Sequence, residues 1–299
     1  MPERVAARPS LAALLDEGTA SLASAGVPEP AREARAVWAA VAGGGLKPGD
    51  VWLARERAAA PDVGRRFREA VERRASGVPF AYAAGRAAFR TIELELDRRA
   101  LIPRPETEGL VDLVLREAGK REEGRGTGGI VADIGTGCGC IALALAVEGR
   151  FDRVIAVERS PGAAALARAN VARVRPAVPV EVREGDLLDP LCGERCRVIV
   201  ANPPYLTEAE YGELDPAVRL FEPREALVSG ADGLAATRRL LAGARPLLER
   251  GGLLALEIDE RRGDAVVALA RRCGWRSVTL HDDLFGRPRY LVAGPEEDA

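Results

Sequence analysis

The chain has 299 residues, of which 43 are Lys or Arg, 45 are Asp or Glu and one is His. The formal net charge of -2 argues against a protein that binds nucleic acid mainly through bulk positive charge. Hydrophobic residues make up 47% of the chain and charged residues 29%, which excludes a disordered or fibrous protein and is typical of a globular one. This length accommodates one or two domains.

The first residues lack the pattern of a signal peptide, because Asp16 and Glu17 follow closely on the apolar residues 11–15. No apolar run approaches the roughly 20 residues of a membrane helix, so we expect a cytoplasmic protein without a membrane partner. Five cysteines are an odd number, which argues against a disulfide framework. The spacing of Cys192 and Cys196 resembles half a metal site, but with a single histidine in the chain we expect no metal.

Helical periodicity dominates the first part of the chain. Apolar residues recur at helical spacing after Ser10 and again after Pro30, and both residue types are favoured at helix starts. The glycines at 43–45 are expected to end the second helix. A third helix is predicted over 62–75.

The pattern becomes extended from residue 82 to 101. Ile92, Leu94 and Leu96 alternate there with acidic residues, which is the period of a half-buried strand. We therefore expect a β-hairpin that joins two domains. The predicted segments are a helical N-terminal domain (1–78), a β-hairpin linker (79–100) and a C-terminal domain (101–299).

Strands and helices alternate in the C-terminal domain. An amphipathic helix through Leu110 and Val114 comes first, and a charged, Gly-rich loop over 120–129 follows it. Repeated βα units then predict an α/β fold with an open, mostly parallel sheet, helices on both faces and an antiparallel hairpin at one edge. The predicted strands are 130–134, 153–158, 178–183, 197–201, 253–258, 275–281 and 289–293, and the predicted helices are 141–147, 161–174, 235–248 and 264–273.

A Gly-rich segment, Asp133-Ile134-Gly135-Thr136-Gly137-Cys138-Gly139, follows the first strand of this sheet and opens a helix. Glycines let the backbone turn sharply and approach a ligand closely, and sheets of this type bind ligands at the carboxyl ends of their strands. The Gly-x-Gly-x-Gly spacing differs from the Gly-x-Gly-x-x-Gly of dinucleotide sites. We expect Cys138 to be a small packing residue and not a nucleophile.

Acidic residues stand at the ends of the next two strands. Glu158 ends the second strand, where a carboxylate can accept both hydroxyls of a ribose. Asp186, followed by Leu187, comes after the third strand, where it can meet an adenine amino group. Helix capping explains one or two such acids, but not three at successive strand ends when Asp133 is counted. Together they favour S-adenosylmethionine over NAD as the cofactor.

The second motif, Asn202-Pro203-Pro204-Tyr205, directly follows a predicted strand. A carboxamide or an exocyclic ring amine is a poor nucleophile, because its lone pair is delocalised. The Asn202 side-chain oxygen and the Pro203 carbonyl can accept hydrogen bonds from both of its N–H groups, which fixes the nitrogen and favours the positive charge developing there. The prolines hold these acceptors rigid, and the Tyr205 ring can lie on a flat amide or base.

No strong general base is required for this chemistry, because the methylated, positively charged nitrogen can lose its proton to water. His281, the only histidine, is expected at the surface or on an edge strand. The acceleration is expected from alignment and electrostatics, and well-aligned reactants gain roughly 7–11 kcal/mol from orientation alone.

With these motifs in place, the chain resembles the bacterial protein-(glutamine-N5) methyltransferases that act on peptide-chain release factors. The resemblance extends over nearly the whole length. It implies a class I, Rossmann-like methyltransferase sheet that depends on S-adenosylmethionine, with a small all-α N-terminal domain and a linking β-hairpin. Besides the two motifs above, it rests on 101–108 (Leu-Ile-Pro-Arg-Pro-Glu-Thr-Glu), 221–227 (Phe-Glu-Pro-Arg-Glu-Ala-Leu), Asp232-Gly233-Leu234 and Gly286-Arg287-x-Arg289.

Each motif has an expected role under this resemblance. The residues expected to bind S-adenosylmethionine are Asp133, Gly135, Thr136, Gly137, Cys138, Gly139, Glu158, Asp186, Leu187 and Asn202. The residues expected to hold the substrate glutamine are Asn202, Pro203, Pro204 and Tyr205, of which Asn202, Pro203 and Tyr205 would be catalytic. The residues expected to form a loop near the reactive end of the cofactor are Arg104, Glu106, Thr107 and Glu108.

The resemblance also implies a protein partner. The substrate glutamine would lie in the Gly-Gly-Gln motif of a release factor, which the N-terminal domain would help to dock. We expect a monomer without a nucleic-acid partner. The chain departs from the family pattern at Ala81, where the family often has Gln, and at Asp259 and Arg262, where it usually has Gly and Gln. These departures lie outside the two chemical motifs.

Two alternatives stay open from the sequence. One is an N6-adenine amino-methyltransferase of RNA or DNA, which shares the cofactor site and the Asn-Pro-Pro-Tyr motif but needs a basic groove. The other is a non-catalytic binding module with the same fold. The presence of Asp133, Glu158 and Asn202 argues against the second.

Overall fold

The computed structural model describes residues 9–120 and 128–294, so most of the predicted loop at 120–129 lies outside the described residues. The chain divides into two compact units, Met1–Ala87 and Ala88–Ala299. No helix within the described ranges combines the length and the apolar character needed to cross a membrane.

The N-terminal unit is helical. Ser10 caps its first helix, since the side-chain oxygen accepts a hydrogen bond from the Ala13 N–H at 3.2 Å. Its core contains Trp38 and Phe67, whose rings meet edge to face with centroids 5.3 Å apart. The helices of this unit are α1 (Leu11–Ser24), α2 (Pro30–Ala42), α3 (Pro48–Leu53), α4 (Pro61–Ala75) and α5 (Phe80–Ala84).

Helical periodicity correctly predicts α1, α2 and α4. It misses α3, because six residues are too few to show an amphipathic period. The extended pattern predicted from residue 82 is wrong at its start, because α5 continues to Ala84. Gly85 then ends this helix in the left-handed conformation, with φ of 71°.

A two-stranded sheet follows α5 and confirms the predicted hairpin. Its strands are β1 (Arg86–Phe89) and β2 (Ile92–Glu95). In β2 the buried Ile92 and Leu94 alternate with the more exposed Glu93 and Glu95, as a period of two requires. The division of the chain at 78 and 100 stays a prediction.

The C-terminal unit is built on a seven-stranded sheet with the strand order β5-β4-β3-β6-β7-β9-β8. The first five strands in this order are parallel, and β9 is antiparallel to both β7 and β8, which confirms the predicted sheet and its edge hairpin. The strands are β3 (Ile130–Ile134), β4 (Arg153–Glu158), β5 (Val180–Glu184), β6 (Cys196–Ala201), β7 (Leu248–Glu257), β8 (Ser277–Asp282) and β9 (Pro288–Gly294). The helices are α6 (Pro105–Lys120), α7 (Cys140–Glu148), α8 (Pro161–Val174), α9 (Glu208–Glu213), α10 (Pro216–Phe221), α11 (Ala235–Gly243) and α12 (Gly263–Arg272).

The direction in which strands are added reverses between β3 and β6. From β3 the chain moves outward through β4 and β5, and it then returns to place β6 on the other side of β3. Open α/β sheets bind ligands in the crevice outside the carboxyl ends of the strands at such a reversal. The residues that follow β3, β4, β5 and β6 are therefore the ones positioned to form a site.

The predicted helix 235–248 is too long. α11 ends at Gly243, and a short 3-10 turn at Arg245–Leu247 leads into β7, which begins earlier than predicted. Pro246 explains the break, because it lacks an N–H to donate and disfavours helical conformation in the residue before it. The pattern also misses α9 and α10, which have six residues each.

Candidate active site

A cavity of about 310 Å³ opens at the carboxyl ends of the central strands. Its volume lies at the lower end of the range of cofactor and small-molecule pockets. Residues from both sequence motifs line it. The predicted site residues in its wall are Gly135, Gly137, Glu158, Asp186, Leu187, Asn202, Pro203 and Pro204.

The Gly-rich segment turns directly after β3. The Gly135 and Thr136 N–H groups both donate to the Val157 carbonyl, at 2.9 and 3.0 Å, which ties the turn to β4. Gly135 and Gly137 have φ of 75° and 58°, a region that favours glycine. A Cβ on Gly135 would have no neighbour within 4 Å, so the turn presents bare backbone to the open space of the cavity.

Asp133 supports this turn from within the protein. Its Oδ2 accepts hydrogen bonds from Thr136 Oγ1 at 2.6 Å and from the Ala142 N–H at 3.0 Å. The side chain is fully buried, and this burial raises the pKa of Asp133 to about 7. Asp133, Thr136, Cys138 and Gly139 are all buried and do not line the cavity, so their direct contact with a cofactor stays a prediction.

Sequence reasoning misses Asn170 of α8, which holds the other end of the turn. Its buried Nδ2 donates to the Cys138 carbonyl at 2.9 Å. The same amide accepts from the Glu95 N–H at 2.7 Å and donates to the Glu95 carbonyl at 3.0 Å, so it connects β2 to the Gly-rich turn. The signal in the sequence is a polar residue on the helix face that Leu166 and Ala167 make apolar.

Glu158 stands at the end of β4, in the cavity wall. Its two carboxylate oxygens accept hydrogen bonds from the Gly137 N–H at 2.9 Å and the Ser160 N–H at 2.8 Å. Each oxygen keeps further capacity, because a carboxylate offers about four lone-pair sites. The backbone therefore fixes the carboxylate and leaves it able to accept from two adjacent hydroxyl groups.

Asp186 and Leu187 follow β5 and line the same cavity. Asp186 pairs with Arg239 of α11, with Nη1 2.6 Å from Oδ2, and Arg239 also lines the cavity. Sequence reasoning misses Arg239, because nothing distinguishes it from the adjacent Arg238. Leu187 has a positive φ of 48°, which is rare for such a side chain.

The Asn202–Tyr205 segment leaves the end of β6 and contributes its first three residues to the cavity wall. Asn202 Nδ2 donates to Thr107 Oγ1 at 3.0 Å. Asn202 Oδ1 and the Pro203 carbonyl accept no hydrogen bond from the part of the chain that the structure describes. Burial raises the pKa of Tyr205 to about 12, so its hydroxyl stays protonated at neutral pH. Tyr205 does not line the cavity, so stacking of its ring on a substrate stays a prediction.

The loop predicted over 104–108 is wrong in its secondary structure, because Pro105 begins α6 and residues 105–108 form its first turn. Polar contacts hold this segment. Arg104 pairs with the buried Glu222, with Nη2 2.7 Å from Oε1. The Tyr290 hydroxyl donates to the Glu106 carbonyl at 2.6 Å. None of the four residues predicted near the cofactor lines the cavity itself, so their place beside a cofactor stays a prediction. The four residues are Arg104, Glu106, Thr107 and Glu108.

Two of the departures from the family pattern contact each other. The buried Asp259 accepts a hydrogen bond from the Arg262 guanidinium. Arg262 also pairs with Glu210 of α9, with Nη2 2.6 Å from Oε2, and donates to the Asp232 carbonyl at 3.0 Å. The two substituted residues therefore belong to one network, which ties the segment after β7 to α9 and to the loop before α11.

The histidine and the cysteines do not line the cavity. His281 is on β8, the edge strand of the sheet, as predicted. The five cysteines are free thiols, and burial raises the pKa of the Cys196 thiol to about 12, which makes it unreactive. No group of three His, Cys, Asp or Glu side chains within residues 9–120 and 128–294 is arranged to hold a metal ion.

Two family models match the chain. The model described as PrmC N-terminal domain matches residues 13–85, and the one described as Methyltransferase small domain matches residues 115–230. Release factor glutamine methyltransferase of Deinococcus radiodurans is 39% identical over 280 residues, which cover 94% of this chain and 96% of that protein. The protein of the same name from Moorella thermoacetica is 39% identical, and the match covers 95% of this chain and 98% of that protein. The one from Mycolicibacterium smegmatis is 36% identical, with coverage of 93% and 95%.

Solved structures show the same fold at low identity. The hMettl16 catalytic domain in complex with MAT2A 3'UTR hairpin 6 is 16% identical, with a TM-score of 0.55 and coverage of 81% of this chain and 86% of that one. The N-terminal domain of human METTL16 in complex with SAH is 18% identical, with a TM-score of 0.52 and coverage of 82% and 87%. These likenesses confirm the predicted methyltransferase fold.

Proposed function

Because this chain belongs to the family of release factor glutamine methyltransferases, we propose that it transfers a methyl group from S-adenosylmethionine to the glutamine of the Gly-Gly-Gln motif in peptide-chain release factors. The acceptor atom is the N5 amide nitrogen. The observation that carries the proposal is a single cavity whose wall contains the Gly-rich turn, Glu158 and the Asn202–Pro204 segment. Residues suited to a nucleoside and residues suited to an amide therefore share one space.

The residues of the cavity fit S-adenosylmethionine. Gly135 would let the ligand approach the backbone, and Glu158 keeps acceptor capacity for the ribose hydroxyls. Asp186 would meet the adenine amino group through the carboxylate oxygen that Arg239 does not bind, beside Leu187. When bound, S-adenosylmethionine supplies a methyl group carried on a positively charged sulfur.

The chain's own contribution is to position and polarise the substrate amide. Asn202 Oδ1 and the Pro203 carbonyl would accept one N–H each, which fixes the nitrogen and stabilises the positive charge that grows on it. Their freedom from other hydrogen bonds within the described residues supports this role. Pro203 and Pro204 restrict the backbone, so the acceptors are already in place before the substrate arrives.

No side chain needs to remove the proton in this scheme. The nitrogen becomes strongly acidic once it carries the methyl group and the positive charge, and water then takes its proton. The position of His281 on the edge strand β8 agrees with a reaction that does not use it as a base.

The test offers three acceptors to the full chain with radiolabelled S-adenosylmethionine. They are a release factor, the same release factor with the Gly-Gly-Gln glutamine changed to alanine, and total RNA. We expect label in the first acceptor alone. Label in RNA but not in the release factor would replace the proposal by the adenine amino-methyltransferase alternative. Equal label in both release factors would exclude this glutamine as the acceptor.

We also propose that the N-terminal domain, residues 1–78, docks the release factor. Trp52 and Leu53 support this role, because they are large and apolar and yet 51% and 82% exposed. The segment boundaries at 78 and 100, a monomeric state and a cytoplasmic location are proposed from the sequence patterns alone.

A further inference from the structure

A buried carboxylate outside the cavity is connected to Asn202, one of the two proposed acceptors for the substrate amide. Glu257, the last residue of β7, is 1% exposed. Thr107 of α6, 2% exposed, donates its hydroxyl to Glu257 Oε2 at 2.7 Å. Asn202 Nδ2 donates to the same hydroxyl oxygen at 3.0 Å. The three side chains form one series of hydrogen bonds, which we name the Glu257–Thr107–Asn202 relay and which ends at the cavity wall.

The carboxylate sets the direction of this relay. Above a pH of about 7 Glu257 is mostly ionised. An ionised carboxylate accepts hydrogen bonds and cannot donate them, so in this state the single hydroxyl proton of Thr107 is committed to Glu257. Thr107 then has only lone pairs to offer Asn202, and the group of the Asn202 amide that can donate to a lone pair is Nδ2. Oδ1, on the other arm of the amide, is thereby turned away from Thr107.

Neighbouring charges act on the ionisation of Glu257. Burial raises the pKa of this carboxyl to about 7, and the negative charge of Glu106 acts in the same direction. The hydrogen bond from Thr107 and the positive charges of Arg289 and Arg104 oppose the rise. The charged groups among these lie on α6, on the residue before it and on β9, and the hydroxyls of Tyr205 and Tyr290 also interact electrostatically with Glu257.

We propose that Thr107 and Glu257 are positioning residues that keep the Asn202 amide with Oδ1 available to the substrate. This inference rests on the proposed function. The oxygen and NH2 ends of an asparagine amide have nearly the same shape, so packing alone does not distinguish them. A flipped amide would present N–H groups to the N–H groups of the substrate and would remove one of the two acceptors. The relay thus determines whether the Asn202 side chain can accept a hydrogen bond from the substrate amide.

The test compares two variants of Thr107 in the full chain, with a release factor as the acceptor. Thr107→Val removes the hydroxyl at nearly constant volume, and Thr107→Ser is the matched control that keeps it. We expect Thr107→Val to lower kcat at least about 10-fold, with KM for S-adenosylmethionine within about three-fold of wild type, because the amide is misoriented while the cofactor residues are untouched. Thr107→Ser should recover most of the rate.

A second variant keeps the inference falsifiable if Thr107→Val folds poorly, which its thermal unfolding midpoint reveals. In Glu257→Gln the side chain can accept a hydrogen bond from Thr107 through its oxygen or donate one through its nitrogen. Because the direction of the relay is then no longer fixed, we expect kcat to fall, but less than in Thr107→Val. A wild-type kcat in either variant, or a loss in Thr107→Val that Thr107→Ser does not restore, would overturn the inference. A wild-type chain that leaves the release factor unlabelled would overturn the proposed function instead.

Discussion

Replacing Gly233 with alanine should slow methyl transfer without weakening cofactor binding. Gly233 has φ of 74°, and a Cβ added to it would lie 2.4 Å from the Tyr205 carbonyl oxygen and 2.9 Å from Arg262 Nε. Contacts of a Cβ below 3.0 Å do not persist, so the Tyr205 backbone would have to move by roughly 0.6 Å.

A movement of this size reaches the acceptor pair. Tyr205 directly follows Pro203 and Pro204, whose restricted φ angles transmit a shift along the backbone instead of absorbing it. A misplacement of about 1 Å can cost roughly 100-fold in rate, so we expect kcat to fall roughly 10-fold or more. The left-handed backbone at Gly233 adds a loss of stability of about 1–2 kcal/mol.

The assay is single-turnover methyl transfer, with calorimetric titration of S-adenosylmethionine beside it. Gly193→Ala is the matched control, because Gly193 also has a positive φ of 85° but its added Cβ would meet nothing within 4 Å. We expect both variants to lose stability from the left-handed backbone, Gly233→Ala to lose more because of its steric clash, and Gly233→Ala alone to transfer slowly. Equal transfer rates in the two variants would refute the reasoning.

Two further predictions concern the acidic residues at the strand ends. Glu158→Ala should weaken S-adenosylmethionine binding at least about 100-fold in calorimetry, because each of two hydrogen bonds to a charged group contributes about 1.5–3 kcal/mol. The control is Glu184→Ala, which removes the same charge from the residue on β5 that is paired with Glu158 in the sheet and that forms an ion pair with Arg168. It should leave the affinity for S-adenosylmethionine unchanged. Equal affinities in the two variants would exclude the ribose role of Glu158. Asp133→Asn should flatten the pH dependence of the free energy of unfolding. In the folded state the pKa of Asp133 is raised from 3.8 to about 7. The contribution of Asp133 to the free energy of unfolding is therefore complete below about pH 4 and is lost as the pH rises through 7. Urea unfolding at pH 5 and pH 8 measures this loss, and an equal loss in the wild type and the variant would contradict it.

The sheet and most helices are predictable because their signals are local. Strands buried on both faces appear as short apolar runs, of which Val198–Ala201 is an example, and α8 shows helical spacing after the cap at Ser160. The turn at Gly135 and the acid at Glu158 are predictable for the same reason, since each stands at the end of such a strand. The helices of six residues, α3, α9 and α10, are missed, because a helical period needs a longer stretch to appear.

The contacts that orient the site are not predictable from local pattern. Thr107 and Glu257 are 150 residues apart, and Arg239 and Asp186 are 53 apart. The positions of these residues in the sequence do not indicate that either pair is in contact. The resemblance predicts Thr107 beside the cofactor, and this stays a prediction. No sequence pattern predicts the hydrogen bond that its hydroxyl accepts from the Asn202 amide.

The most direct test of the central claim is the single-turnover rate of methyl transfer in Asn202→Ala, measured together with the affinity for S-adenosylmethionine. We expect a transfer rate at least roughly 100-fold lower, comparable to the removal of one hydrogen-bond partner from a developing charge, and an affinity for S-adenosylmethionine within about three-fold of wild type. Transfer at the wild-type rate would contradict the claim that Asn202 accepts a hydrogen bond from the substrate amide.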